Sequence, residues 1–146
     1  MFGWLFSWFQ TPKTSHEKLI KTIEERNKAE ALKLITAMNI TELSKVDDNN
    51  ATALTLAANK DLEKVCEALI PKMSDQAINC KSTNSSWFGF TAFTWVTLNE
   101  DKKICELLIP KTSLEVIINI LKLEKEKQFM IEAINNYNNT LVKELN

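Results

Sequence analysis

The feature that most constrains this chain is an internal repeat. The segment Thr52-Ala53-Leu54-Thr55, running on to Lys64-Val65-Cys66-Glu67-Ala68-Leu69-Ile70-Pro71-Lys72, returns without a gap as Thr91-Ala92-Phe93-Thr94, running on to Lys103-Ile104-Cys105-Glu106-Leu107-Leu108-Ile109-Pro110-Lys111. The offset is 39 residues, both from Cys66 to Cys105 and from Pro71 to Pro110. Two weaker copies flank this pair. Upstream, Leu19-Ile20-Lys21-Thr22-Ile23 and Ala31-Leu32-Lys33-Leu34-Ile35 precede their counterparts by 35 residues. Downstream, Met130-Ile131-Glu132-Ala133-Ile134 and Leu141-Val142-Lys143-Glu144-Leu145 follow the first central copy at an offset of 76. Degenerate ends are what a repeat stack requires, because a terminal unit turns one face to water.

Each copy reads as two short helices. Thr52 and Thr91 stand just before apolar segments, where a hydroxyl can accept a bond from an orphan backbone N–H. Thr14 and Glu17 have capping-box spacing ahead of Leu19. Val65, Cys66, Leu69 and Ile70 form one apolar stripe at helical spacing, and Ile104, Cys105, Leu108 and Ile109 repeat it. Pro71 and Pro110 then stop these helices, since proline lacks an N–H and disfavours helical geometry just before it. Beyond them, the stretches from Met73 to Ile78 and from Thr112 to Ile117 can add a further short helical turn to each unit. The expected fold is all-α: a solenoid of about four stacked helix-turn-helix units with short hairpin-like loops. The helix pairs are expected near 14–36, 52–71, 91–110 and 124–145, in a repeat domain of residues 13–146 behind a leader of residues 1–12.

Composition narrows the function. With 2 Gly in the chain, only Gly89 lies in the body, and no glycine-rich phosphate cradle can be built. A formal net charge of -1 lacks the basic excess with which a general nucleic-acid binder neutralises phosphates. Cys66, Cys80 and Cys105 make an odd set without CxxC spacing, which fits neither a disulfide framework nor a zinc site. A cytoplasmic or other reducing compartment is expected, with a secreted effector as the alternative. His16 is the only histidine, so catalytic triads and multi-histidine metal sites have no base or ligand set. Cys66 and Cys105 read as small hydrophobes on a core stripe. No enzyme activity and no cofactor are expected.

The leader holds Phe2, Trp4, Leu5, Phe6, Trp8 and Phe9 in nine residues. Such a run is too short to span a bilayer, which takes about 20 apolar residues, and it lacks the basic start and cleavage site of a secretory signal. Three readings stand: it folds back over exposed core, it docks a partner, or it anchors the chain at a membrane surface through its aromatics.

Within the body, Trp87-Phe88-Gly89-Phe90 is the sharpest local feature. Three aromatics around a glycine, after Asn84-Ser85-Ser86 and ahead of a helix start, predict a turn tip. Aromatics at such a tip either cover an internal gap or face a partner, where they bury much area for few lost rotamers. Trp87 and Phe88 are the two expected to face outward.

The central copies resemble ankyrin repeats, whose unit opens Asp-x-x-Gly-x-Thr-Pro-Leu-His-x-Ala-Ala. Asp47, Thr52, Leu54, Ala57 and Ala58 in one copy, and Gly89 and Thr91 in the other, stand where that pattern asks. Ala53 and Ala92 replace its proline, Thr55 and Thr94 its histidine, and Asp61 and Glu100 its inter-helix glycine. The spacing also exceeds the family's ~33 residues. The resemblance implies a divergent ankyrin domain that binds another protein through loop tips and the exposed side of each first helix. Carried over by position, it implies contact sites at Asp48, Asn49, Ala51, Asn59 and Lys60 in one copy. In the other it implies Trp87, Phe88, Phe90, Leu98 and Asn99. The expected function is a protein-interaction module, adaptor or effector; the alternative is a membrane-surface scaffold held by the leader.

Overall fold

The computed structural model of the chain describes residues 14–122 and 124–146. The leader aromatics Phe2, Trp4, Phe6, Trp8 and Phe9, and Leu5 among them, lie outside the described residues. The first unit contains α1 (Ser15–Glu24), α2 (Lys28–Ala37) and α3 (Ile40–Leu43). The second contains α4 (Ala53–Asn59), α5 (Glu63–Leu69) and α6 (Asp75–Ile78). The third contains α7 (Ala92–Leu98), α8 (Lys102–Leu108) and α9 (Leu114–Leu121), after which α10 (Glu124–Leu145) closes the array. Among the described residues the only β pairing is an isolated bridge between Val46 and Thr52. The fold is an all-α solenoid, as expected.

The helix starts follow from hydroxyl chemistry. At α4 the Thr52 hydroxyl accepts the Thr55 N–H at 3.2 Å, while the Thr52 N–H donates to the Thr55 hydroxyl at 3.4 Å. Thr91 and Thr94 repeat this reciprocal box at α7, at 3.3 and 3.2 Å. Thr14 accepts from the Glu17 N–H in front of α1. Downstream, α5 and α8 each give way to a 3-10 turn, Ile70–Lys72 and Ile109–Lys111, that carries the proline in its opening residues.

Like packs on like. The first helices α1, α4 and α7 stack on one another, and the second helices α2, α5 and α8 form a parallel layer behind them. Between the layers lie Leu19, Ile23, Leu54, Phe93 and Val96 from one side. From the other come Ile35, Val65, Leu69, Ile104 and Leu108. Full burial of each such side chain contributes about 1.5–3 kcal/mol. Cys66 and Cys105 are buried at matching places on α5 and α8, and loss of hydration pushes both thiols up to about 12. They are inert core atoms in like surroundings.

The further short turn that the sequence allows after the second helix forms in the two central units as α6 and α9, and the first unit has a counterpart in α3. One expectation is corrected. The expected pair at 124–145 is one continuous helix of 22 residues. The stretch Asn135-Asn136-Tyr137-Asn138-Asn139-Thr140 contains neither glycine nor proline, so nothing breaks it. This helix seals the third unit by packing on α7, α8 and α9, with Met130 and Ala133 buried against them.

The loops between units set the repeat length. Nine residues, 44–52, join α3 to α4, whereas thirteen, 79–91, join α6 to α7. The four extra residues account for the difference between the 35-residue and 39-residue offsets. Backbone pairing shows where they go. Asp47 N–H donates to Ala51 C=O at 2.9 Å, and Ser82 N–H donates to Phe90 C=O at 2.8 Å. Ser82 is therefore the counterpart of Asp47, and the insertion enlarges the second tip itself. A constant 39-residue offset would instead set Ser86 opposite Asp47, and the backbone pairing rules that out.

Candidate functional site

The two tips, residues 47–51 and 82–90, lie side by side at the entrance to the first-helix layer. Asp47 shapes the small one: its Oδ1 accepts the N–H groups of Asn49 and Ala51 at 2.8 and 2.9 Å. Asn50 turns the chain with φ of 56°, and Gly89 occupies the matching place in the large tip with φ of 80°. There the Phe90 N–H bonds to Trp87 C=O at 3.0 Å, so Trp87 to Phe90 close a tight turn. Glycine is needed because the third residue of that turn has positive φ. Across the tips, Thr83 N–H donates to Asn49 C=O at 2.8 Å, and Asn50 Nδ2 donates to Lys81 C=O at 2.9 Å.

A packed aromatic triad supports the large tip. Trp87 and Trp95 meet edge to face with ring centres 4.9 Å apart, and Phe90 meets Trp95 the same way at 5.2 Å. Such pairs contribute ~0.5–1.5 kcal/mol beyond area burial. Phe88 joins none of this and is 76% exposed, while Trp87 keeps 45% of its surface open. The tip thus presents one free aromatic and one half-free aromatic on a stiff mount. It also divides two clefts. Asp47, Leu56, Asn59, Asn84, Trp87 and Trp95 line the one between the tips. Lys81, Phe88, Phe90, Thr94, Asn119 and Ile120 line the other, toward α9.

The residues implied by resemblance divide accordingly. Asp48 and Asn49 are exposed on the small tip, and Asn59 lines the inter-tip cleft. Lys60 is half-buried at the end of α4, its carbonyl accepting from Arg26 Nη1 at 2.8 Å. Leu98 is exposed at the end of α7. Phe90 is a support, not a free contact. Asn99 is exposed but stitches units together, its Nδ2 donating to Ala58 C=O at 2.8 Å. Ala51 is largely buried beneath the small tip, at 7% exposure, and lines the inter-tip cleft. Sequence reasoning missed Trp95, Leu56 and Asn84. Trp95 and Leu56 hold the same place in their units, four residues after the capping threonine, and that coincidence of large apolar side chains was the available signal.

Outside this face, among the described residues, no group of three or more His, Cys, Asp or Glu side chains is arranged to hold a metal ion. No described helix is long and apolar enough to cross a membrane.

Over 66 residues, 45% of its length, this chain is 65% identical to an ankyrin repeat protein of Rickettsia bellii, covering 12% of that relative. Over 70 residues, 48% of this chain, it is 60% identical to an ankyrin repeat protein of Rickettsia felis, covering 22% of it. A further ankyrin repeat protein of Rickettsia bellii is 46% identical over 70 residues, 48% of this chain and 18% of the relative. The chain thus spans less than a quarter of the length of these curated relatives. No family model matches it, and no solved structure does. Stacked helical units with hydroxyl-boxed first helices accompany this likeness, and the chain is similar over nearly half its length to ankyrin repeat proteins.

Proposed function

We propose that this chain is a non-catalytic interaction module, an adaptor or effector, that holds a partner protein on its two tips and the exposed side of its first helices. The observation that carries the reading is Phe88, a large aromatic 76% exposed on a tip whose neighbours are locked by the Trp87–Phe90–Trp95 packing. Exposing such a ring has an unfavourable hydration cost in the free protein, and covering it by a partner recovers that cost. A stiff mount also limits the ordering entropy lost on binding. The family resemblance and the ankyrin names of the relatives support the same reading.

The test is affinity capture with the full chain beside a Trp87→Ala/Phe88→Ala double variant, with far-ultraviolet circular dichroism on both. The reading expects a protein that is retained by the parent and lost by the variant, at unchanged helicity. Equal capture by both proteins contradicts it. Collapse of helicity in the variant, with Phe88→Ala alone leaving capture unchanged, assigns these aromatics to the core instead.

A further inference from the structure

The cleft between the tips has a chemistry that selects among partners. Trp87 and Trp95 wall it edge to face, Leu56 contributes an apolar surface, and Asn59 adds an amide carbonyl. Among the described residues lining it, Asp47 alone is ionisable. That carboxylate also borders a second groove beside α1, where, among the described lining residues, Glu17, Glu24 and Asp48 add carboxylates and Lys21 a cation, with Lys45 near His16 at its edge. Lys21 in turn approaches Glu25 at 3.9 Å. The chain as a whole is nearly balanced, with 18 basic and 19 acidic residues, so this run of carboxylates along one face is a local concentration.

We propose that the inter-tip cleft takes a lysine or arginine side chain from an extended segment of a partner protein, and that the acidic groove beside it takes the segment's next basic residue. The inference rests on the reading of the tips as the contact surface and names the partner's chemistry. A cation is attracted to the electron-rich face of an indole, and Trp gives the strongest such attraction. The carbon stem of either side chain lies well along apolar surface such as Leu56, while the head reaches Asp47 or the Asn59 carbonyl. Opposite charges along the groove fix the direction of the segment and speed encounter. Nucleic acid, an anionic bilayer or an acidic peptide would bring like charge to the same carboxylates.

The experiment is calorimetric titration of the full chain with short peptides of alternating Arg and Gly, and of alternating Glu and Gly, at low and high salt. The Arg-Gly peptide is expected to bind saturably, more weakly as salt rises. Trp87→Leu, and separately a Glu24→Lys/Asp48→Lys double variant, should each weaken it by about tenfold. The proposal is overturned if this peptide does not bind, or if neither variant changes its affinity. It is overturned too if tetramethylammonium ion binds as tightly, since that would make the cleft a small-cation site. Binding of the Glu-Gly peptide that is lost with Trp87→Leu would remove the basic partner while leaving the tips as the contact surface. Unchanged capture by the Trp87→Ala/Phe88→Ala variant would instead remove the tips.

Discussion

Arg26, Asp61 and Glu100 close the inter-helix turns of their units with φ of 57°, 55° and 56°. This left-handed backbone costs a residue with a Cβ about 1–2 kcal/mol, less for Asp, whose short side chain tolerates it. Replacing Glu100 by Gly should therefore raise stability by ~0.5–1 kcal/mol, after allowing for the entropy glycine loses on folding. Asp61→Gly should give less. Urea titration checks both, and a destabilised Glu100→Gly would show that its side chain holds the turn. His16 gives a pH prediction. It is buried, its nitrogens lack hydrogen bonds of good geometry, and burial first, then nearby Lys45, lower its pKa, with the Glu42 backbone acting in opposition. As pH falls through about 6.5 the unfolded chain takes up this proton before the folded one, so stability must fall. Chemical denaturation at steps between neutral and mildly acidic pH should show that slope, and His16→Leu should flatten it. An unchanged slope in the variant assigns it to other groups.

Between elements, the units are joined by a ladder of equivalent bonds. Ser74 N–H donates to Ser44 Oγ at 3.1 Å, and Ser113 N–H donates to Asn79 Oδ1 at 2.7 Å, each linking the third helix of one unit to the next. Asn79 Nδ2 also donates to Lys111 C=O at 2.8 Å. Lys103 on α8 reaches back to Glu63 at 3.2 Å and also contacts Glu67, both on α5, and this pairing holds the Glu67 carboxyl below its ordinary range. Asn79→Ala removes two partners from the junction of units two and three and should cost ~1–3 kcal/mol. Thermal unfolding checks this, and a change within error would mean that helix packing alone sets the junction. Thr91→Val keeps the shape of the side chain but deletes the box at α7, and should cost ~0.5–2 kcal/mol.

The elements were also where the sequence was most and least legible. Matched stripes and capping threonines located the first and second helices of three units, because those features act within one or two turns. The position of the four-residue insertion was not legible, since a helix-to-helix match is blind to which loop residue pairs with which. Nor was the unity of α10: its repeat-like apolar residues suggested a pair, and only the lack of a breaker across Asn135–Thr140 argued otherwise. Trp95 read as one more apolar position on α7. Its role appears only when the enlarged tip folds back onto it.

At the scale of the whole molecule, a two-layer stack holds the apolar core and the two tips project from its edge. Phe88 makes none of the ring contacts that anchor its neighbours, whereas Asn49 and Asn50 of the small tip bond across to Thr83 and Lys81. On the proposed reading, binding falls on tip residues that differ between the two central copies, while the apolar stripes of their helices stay alike. Hydrogen exchange on the chain, free and bound to a captured partner, tests this directly. The account predicts new protection at the amides of residues 83–90 and of Asp48 and Asn49, with the α5 and α8 layer unchanged. Protection confined to α10 or to the 3-10 turns at Ile70–Lys72 and Ile109–Lys111 would contradict it.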